Sequence, residues 1–431
     1  MVQKWLIALC VLLSVSIFPV VVFAEEEAIS ESTSDSSLLI DMHTGTILEA
    51  THIDEVRGIA QLSQWMTLYI VLQQLKEGQI TKGQMYTVSD YVATVSKEPS
   101  FFDLPLEAGT EVSIEQLYDA LTITQSTAAS VAFAEIIDGS EVNFVKRMNE
   151  VAKELQLDQT LFTSASGENG ELLIQMGSDM ESADSESVGT ARALGELMYH
   201  TYQLHPLLGD DMSRKELQWG EEVYENRNSM LEGKLHEISY IDSAMVGESN
   251  LAGFSLLASG KRGKQRLLAV LLDSKTNGER SELARYDVVK RLMDDIFLQY
   301  TDLEVVQEGA QIKNYATYPV LRGVQKKVNV IASESIRTLL PNDSEREAHV
   351  EVVYSLKEPL EAPVKAGAVI GYAYVTYDDK QEYNYIVDKS HYVTLVVAED
   401  VAMTSSFRLF FQGIGMFFKE WWNVTNQFLA S

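Results

Sequence analysis

Apolar residues along this chain change period twice. Between Glu141 and Leu155 they fall at Val142, Phe144, Val145, Met148, Val151, Ala152 and Leu155, the repeat of a helix that buries one face. The same repeat predicts helices over Leu62–Leu75, Ser113–Thr122, Thr127–Ile137 and Val188–His200. On either side of this helical stretch the pattern turns to strands. Leu38-Leu39-Ile40-Asp41 and Gly45-Thr46-Ile47-Leu48-Glu49 flank Met42-His43-Thr44, which reads as a hairpin whose turn Gly45 relaxes. Phe254–Ala258 and Arg266–Leu272 are β-rich apolar runs joined by Gly260-Lys261-Arg262-Gly263, and a helix from Arg280 to Tyr300 closes the unit. Strands at both ends with helices between them predict an α+β domain over residues 37–301, its terminal strands sharing one antiparallel sheet.

From Asp302 the apolar runs become short and turn-bounded: Val328–Ile331, Val350–Leu356, Val369–Tyr377, Tyr383–Val387 and Tyr392–Val397. That spacing predicts a small all-β sandwich over 302–400. The tail, 401–431, returns to helical spacing. Phe407, Phe411, Ile414, Phe417, Trp421 and Phe428 share one side, with Gln412, Gly415, Lys419, Asn423 and Asn426 on the other. Its uncharged run Leu409–Phe418 falls short of the roughly 20 residues a spanning helix needs. An amphipathic helix lying on a membrane surface fits, with Trp421 and Trp422 at headgroup level; a terminal helix docked on its own domain is the competing reading.

At the other end, Lys4 precedes an apolar run from Trp5 to Ala24 that stops at Glu25-Glu26-Glu27. Residues 1–24 read as a signal peptide cut after Ala24, with an uncleaved anchor as the alternative. Residues 25–36, rich in Glu and Ser, read as a linker with too little apolar surface to fold. The sole cysteine, Cys10, lies inside the signal, so the exported chain would have no disulfide, no thiolate nucleophile and no cysteine metal site. Nothing calls for a cofactor or a metal. With 34 basic against 63 acidic side chains, a net charge of -29, nucleic acid is excluded as a partner and a solvated extracytoplasmic protein is favoured. The six acidic residues from Glu168 to Glu186, with no basic one among them, fit no EF-hand and read as a solvated loop.

Several stretches together resemble the serine D-alanyl-D-alanine carboxypeptidases, the low-molecular-mass penicillin-binding proteins of bacteria. They are the hairpin Leu38–Glu49, the run Leu106–Val112, Ser130–Glu135 with Gly139-Ser140, Met148-Asn149-Glu150, Ala252–Ala258 and, in the β domain, Glu358–Gly367. The resemblance covers the chain from the first hairpin to the tail. It implies a β-lactamase/transpeptidase-like domain, an antiparallel sheet with a helical insertion, followed by a β sandwich. It also implies an enzyme that removes terminal D-alanine from peptidoglycan stem peptides through an acyl-serine.

Such chemistry needs three motifs. Ser-x-x-Lys puts hydroxyl and amine on one helical face, so that the amine activates the nucleophile. Ser-x-Asn relays a proton and holds the substrate backbone. Lys-Thr-Gly on an edge strand offers a cation to the substrate carboxylate and a glycine beside which the peptide pairs as an added strand. In this chain the first slot falls in Ala60–Thr67, with Gln61 at the nucleophile position and Gln64 at that of the base. The second falls at Gln125-Ser126-Thr127 and the third at Met245-Val246-Gly247, which keeps only the glycine. A carboxamide neither attacks as an alkoxide nor takes a proton near neutral pH. No serine anywhere in the chain is followed three residues later by lysine, and Lys275-Thr276-Asn277-Gly278 lies on the wrong strand. A Ser-His-Asp triad drawn from the seven histidines remains open.

What the resemblance leaves intact is backbone: the amides of Gln61 and Glu248, the family's oxyanion donors, and Gly247. The expectation is a pseudoenzyme on the outer face of the cytoplasmic membrane, whose partners are peptidoglycan stem peptides or a cell-wall enzyme. It would act as a scaffold, a regulator or a muropeptide-binding subunit. The alternatives are an active hydrolase with a rearranged site and a structural surface protein with no ligand in its cleft.

Overall fold

The computed structural model describes residues 31–405 apart from 102, 180–185, 344, 357, 379–382 and 390. The signal peptide and the tail residues Phe407, Phe411, Ile414, Phe417, Trp421, Trp422 and Phe428 lie outside the described residues. Five long strands carry the first domain: β1 (Ser32–Asp41), β2 (Ile47–Thr51), β3 (Ile241–Ser249), β4 (Gly253–Arg262) and β5 (Gln265–Thr276). They form an antiparallel sheet in the order β2-β1-β5-β4-β3, so the N-terminal hairpin closes on the C-terminal strands as expected. Alternation along each strand divides the core. Leu38, Ile40, Leu257, Leu268 and Val270 face the helical layer. Leu39, Leu256, Leu267, Ala269 and Leu271 pack with Val288, Val289 and Met293.

The helical layer holds α1 (Gln64–Lys76), α2 (Ile114–Thr124), α3 (Thr127–Asp138), α4 (Glu141–Glu154), α5 (Gly170–Met176) and α6 (Ala191–Leu204), and α7 (Glu282–Gln299) covers the other face. Six of these match the expected helices within a few residues, and Val188-Gly189, read as the start of a helix, form a short strand instead. Trp65 of α1 is wholly buried, and its indole N–H donates to Thr201 Oγ1 of α6 at 2.9 Å.

The linker expected over 25–36 ends earlier than its composition suggests. Ser32–Ser36 already belong to β1 and pair with the end of β5, Ser32 opposite Thr276 and Ser34 opposite Ser274. Backbone pairing and charge carry this extension in place of apolar burial: Asp35 binds Arg57 at 3.0 Å and Lys275 at 2.7 Å. Those cations, with hydrogen bonds, outweigh desolvation and hold the Asp35 carboxyl below its usual range.

The second domain is the expected β sandwich. A sheet of β7 (Thr317–Leu321), β8 (Lys327–Ala332), β10 (Ala348–Tyr354), β11 (Leu360-Glu361), β12 (Val369–Tyr377) and β13 (Val393–Val397) runs in the order β10-β12-β13-β8-β7-β11. A two-stranded ribbon of β6 (Tyr300–Val306) and β9 (Ile336–Pro341) accompanies it. Tyr383–Val387, expected as one of its strands, goes elsewhere. It lies along the first domain's hairpin, with Ile47 N–H donating to Asn384 O and Ile386 N–H to Gly45 O, both at 2.8 Å. Ile386 itself is buried in the helical-side core of the first domain.

Candidate functional site

The site is assembled where the start of α1, the α2–α3 turn and the edge strand β3 meet. A single 3₁₀ turn, Ala60–Ser63, precedes α1 and presents Gln61. Gly167 packs against this turn with φ +78°, and a Cβ there would stand 1.9 Å from Ala60 O, so only glycine fits. The α2–α3 turn is two residues long. Gln125 ends α2 in the left-handed conformation at φ 52°, and Ser126 caps α3 by accepting from Ala129 N–H at 2.9 Å. β3 offers the unpaired edge of the sheet, and Gly247 lets it approach Leu62 and Ile59 O, which a Cβ would meet at 2.9 and 3.0 Å.

Two carboxamides cover that edge. Gln125 Oε1 accepts from Val246 N–H at 3.1 Å, and its Nε2 donates to Val246 O at 3.2 Å. Gln61 Oε1 accepts from Glu248 N–H at 2.9 Å, and its Nε2 donates to Glu168 Oε1 at 3.0 Å. Val246 and Glu248 are two residues apart, so their outward groups are the ones an added antiparallel strand would use. Gln64 completes the set, its Nε2 donating to Gln125 O at 3.2 Å. Its Oε1 is buried without a partner.

The expected reactive positions are therefore brought together, all but Gln61 as packed interior. Gln64 and Met245 are fully buried, and Gln125, Thr127 and Val246 nearly so. Met245 belongs to the apolar core between sheet and helices, so the position where the resemblance would put the substrate-binding cation holds a buried thioether. The backbone is engaged as well. Of the two amides expected to persist as oxyanion donors, that of Glu248 is engaged by the chain's own Gln61 side chain.

Beside this plug opens a cavity of about 600 Å³, lined among others by Gln61, Glu168, Glu186, Glu248, Phe254 and Arg280. Burial raises the Glu168 carboxyl above its usual range, against the hydrogen bond from Gln61 and the field of Arg227. Arg280 is held by Asp273 at 2.8 Å and by Asn250 O at 2.7 Å. Asp103 accepts from Ala128 N–H at 2.6 Å and Leu104 N–H at 2.8 Å, and burial pushes its carboxyl up to about 6.

Glu168 and Glu186 fall in the acidic run read as a solvated loop. In the structure, residues 170–176 of that run are helical, Glu168 binds Gln61 and Glu186 accepts from Ser249 Oγ. The local signal was the helix start at Asn169, whose side chain accepts from Glu171 N–H at 2.9 Å. The Lys-Thr-Asn-Gly stretch at 275–278 begins on β5, away from the β3 edge, and Lys275 is bound to Asp35. Of the histidines, His205 meets Asp211 at 2.8 Å, but the hydroxyl that also reaches this carboxylate is that of Tyr118.

Fold and site together define a penicillin-binding-protein-like molecule, and comparison with known sequences bears this out. The model of the D-alanyl-D-alanine carboxypeptidase family matches residues 22–276, and that of the penicillin-binding protein 5 C-terminal domain matches 300–403. The chain belongs to the D-alanyl-D-alanine carboxypeptidase family. It is 27% identical to D-alanyl-D-alanine carboxypeptidase DacF of Bacillus subtilis over 336 residues, 78% of this chain and 79% of the relative. It is 28% identical to DacD of Escherichia coli K12 over 356 residues, 81% and 84% of the two chains. Among solved structures, the fold is similar to a peptidoglycan synthesis regulatory factor (PBP3) from Streptococcus pneumoniae. The TM-score is 0.75 at 23% identity, covering 86% of this chain and 100% of the other. Penicillin binding protein 5 from Haemophilus influenzae gives a TM-score of 0.64 at 24% identity, covering 86% and 98%.

Proposed function

We propose that this protein is a catalytically inert member of its family that serves cell-wall metabolism by binding: a scaffold, a regulator or a muropeptide-binding subunit on the outer face of the cytoplasmic membrane. The observation that carries the reading is the bond from Glu248 N–H to the Gln61 carboxamide. It puts a neutral amide at the nucleophile position and seats that same amide on an oxyanion donor. Loss of a nucleophile and base that act as a unit typically costs on the order of a million-fold in rate, with the remainder coming from the oxyanion hole and binding. Here the remainder is reduced too, because one donor is occupied and Met245 offers no cation. The cavity beside the plug is the place for a stem peptide, and its three carboxylates make it a poor host for a free D-alanine carboxylate.

The test is intact-mass spectrometry of the exported protein after incubation with penicillin, run alongside calorimetric titration with purified muropeptides. No mass increase together with saturable muropeptide binding supports the reading. A stoichiometric adduct mapped to a cleft serine would overturn it in favour of a rearranged hydrolase. Absence of both adduct and binding moves the function to a protein partner.

A further inference from the structure

The β7–β8 hairpin ends in a tip unlike the rest of this acidic molecule. Its sequence, Leu321-Arg322-Gly323-Val324-Gln325-Lys326-Lys327, holds three cations and no carboxylate in a chain of 63 acidic and 34 basic side chains. Arg322 binds Glu361 at 2.7 Å. Lys326 and Lys327 are exposed and have no ion-pair partner among the described residues. Beside these cations two apolar side chains face outward, Leu321 at 55% exposure and Val324 at 57%, and Met403 joins them at 50%.

The last described residues of the chain run beside this tip. Val324 N–H donates to Ala402 O at 2.9 Å, and Thr404 N–H donates to Arg322 O at 2.8 Å. These bonds strap the last described residues across the hairpin, so the tail whose sequence repeats aromatic residues at helical spacing starts from this end of the β domain. Exposed aliphatic side chains set among unpaired lysines match an anionic bilayer surface: the ammonium groups meet lipid phosphates while the apolar groups enter the headgroup layer. A second copy of this chain is a poorer occupant, because at a net charge of -29 two copies repel.

We propose that the Leu321–Lys327 tip, with Met403, is a membrane contact in its own right, selective for anionic lipid and separate from any contact the tail makes. The tip would fix which end of the molecule faces the bilayer, with the lysines supplying the lipid preference.

The test uses the full chain with Cys10→Ser, so that one engineered cysteine can carry an environment-sensitive fluorophore. Gln325→Cys probes the tip, and Leu235→Cys, at a site 87% exposed in the first domain, serves as control. Both are mixed with vesicles of phosphatidylglycerol or of phosphatidylcholine, each containing brominated acyl chains. The expected result is a blue shift and quenching at 325 on phosphatidylglycerol, with none at 235. Lys326→Ala with Lys327→Ala should lower partition onto phosphatidylglycerol roughly thirtyfold, the loss of two near-surface cations, and leave phosphatidylcholine binding unchanged. Unaltered circular dichroism and melting of these loop variants shows that the fold is intact. Bound protein whose 325 probe stays unquenched would mean that the tail alone holds the membrane, and would overturn the proposal. So would failure to associate with phosphatidylglycerol, an equal loss on both lipids, or a response at 325 that arises from dimerisation without vesicles.

Discussion

Gln61 Oε1 lies 2.9 Å from the amide nitrogen of Glu248, 187 residues further along the chain. A ligand carbonyl seeking that N–H has first to displace a side chain that is tied at its other end to Glu168. On the function proposed above, Gln61 both stands at the nucleophile position and blocks the donor. Gln61→Ser alone would clear the donor yet still lack a base, so penicillin acylation should stay at zero by intact mass. The combined change Gln61→Ser, Gln64→Lys, Gln125→Ser, Thr127→Asn, Met245→Lys and Val246→Thr should recover slow acylation, because groups that act as a unit return as a unit. A six-fold variant that folds with unchanged stability and never acylates would show that the cleft geometry has drifted.

The second carboxamide has a structural role that can be measured. Val246 is nearly buried, and Gln125 satisfies both its N–H and its C=O. Gln125→Ala leaves two backbone groups unpaired, at about 1–3 kcal/mol each, so a urea titration should show a loss of roughly 2–6 kcal/mol. Gln125→Gly separates this from strain, since glycine relieves the left-handed φ of 52° but restores neither bond. If the two variants match wild type, the bonds to Val246 are incidental.

Asp103 gives the site a pH signature. Its carboxyl is raised from 3.8 to about 6, chiefly by burial. A folded-state value above the unfolded one means that its contribution to stability is complete below the unfolded value and is lost as pH rises through the folded one. Between those two values wild type should therefore lose stability relative to Asp103→Asn. Melting temperatures of the two proteins, measured across that window, should diverge in the variant's favour as pH increases. A constant difference would refute the assignment.

At the domain seam, Ile386 is a residue of the β domain buried in the core of the first domain. Ile386→Ala should cost roughly 2–4 kcal/mol and split the thermal unfolding into two transitions as the domains lose their shared core. Calorimetry that still shows a single transition with unchanged enthalpy would argue against this coupling.

How much of this was legible beforehand depended on the range of each interaction. The helix over 141–154 and the hairpin around Gly45 follow from side-chain period and turn chemistry, which are local. The Ser32–Ser36 strand was not legible: an all-polar segment sends no hydrophobic signal, and its partners lie in β5. Tyr383–Val387 announced an extended conformation but not which sheet it would join, because strand propensity carries no address. In the site, the residues that would meet there could be named one by one. The plug could not, since nothing near Gln61 reveals that Glu248 N–H stands within reach of its side chain.

Because residues 384–386 hydrogen-bond to the first domain's hairpin, the two domains are joined by more than the covalent link at Tyr300. Tension applied at the C-terminal end would divide between a covalent route and a non-covalent one. One runs through the backbone from β6 into α7. The other loads the Gly45 and Ile47 bonds together with Ile386, so separating the domains requires these contacts to fail in concert. In mechanical terms the molecule is a bracket braced across its seam, stiffer than a pair of beads on a string.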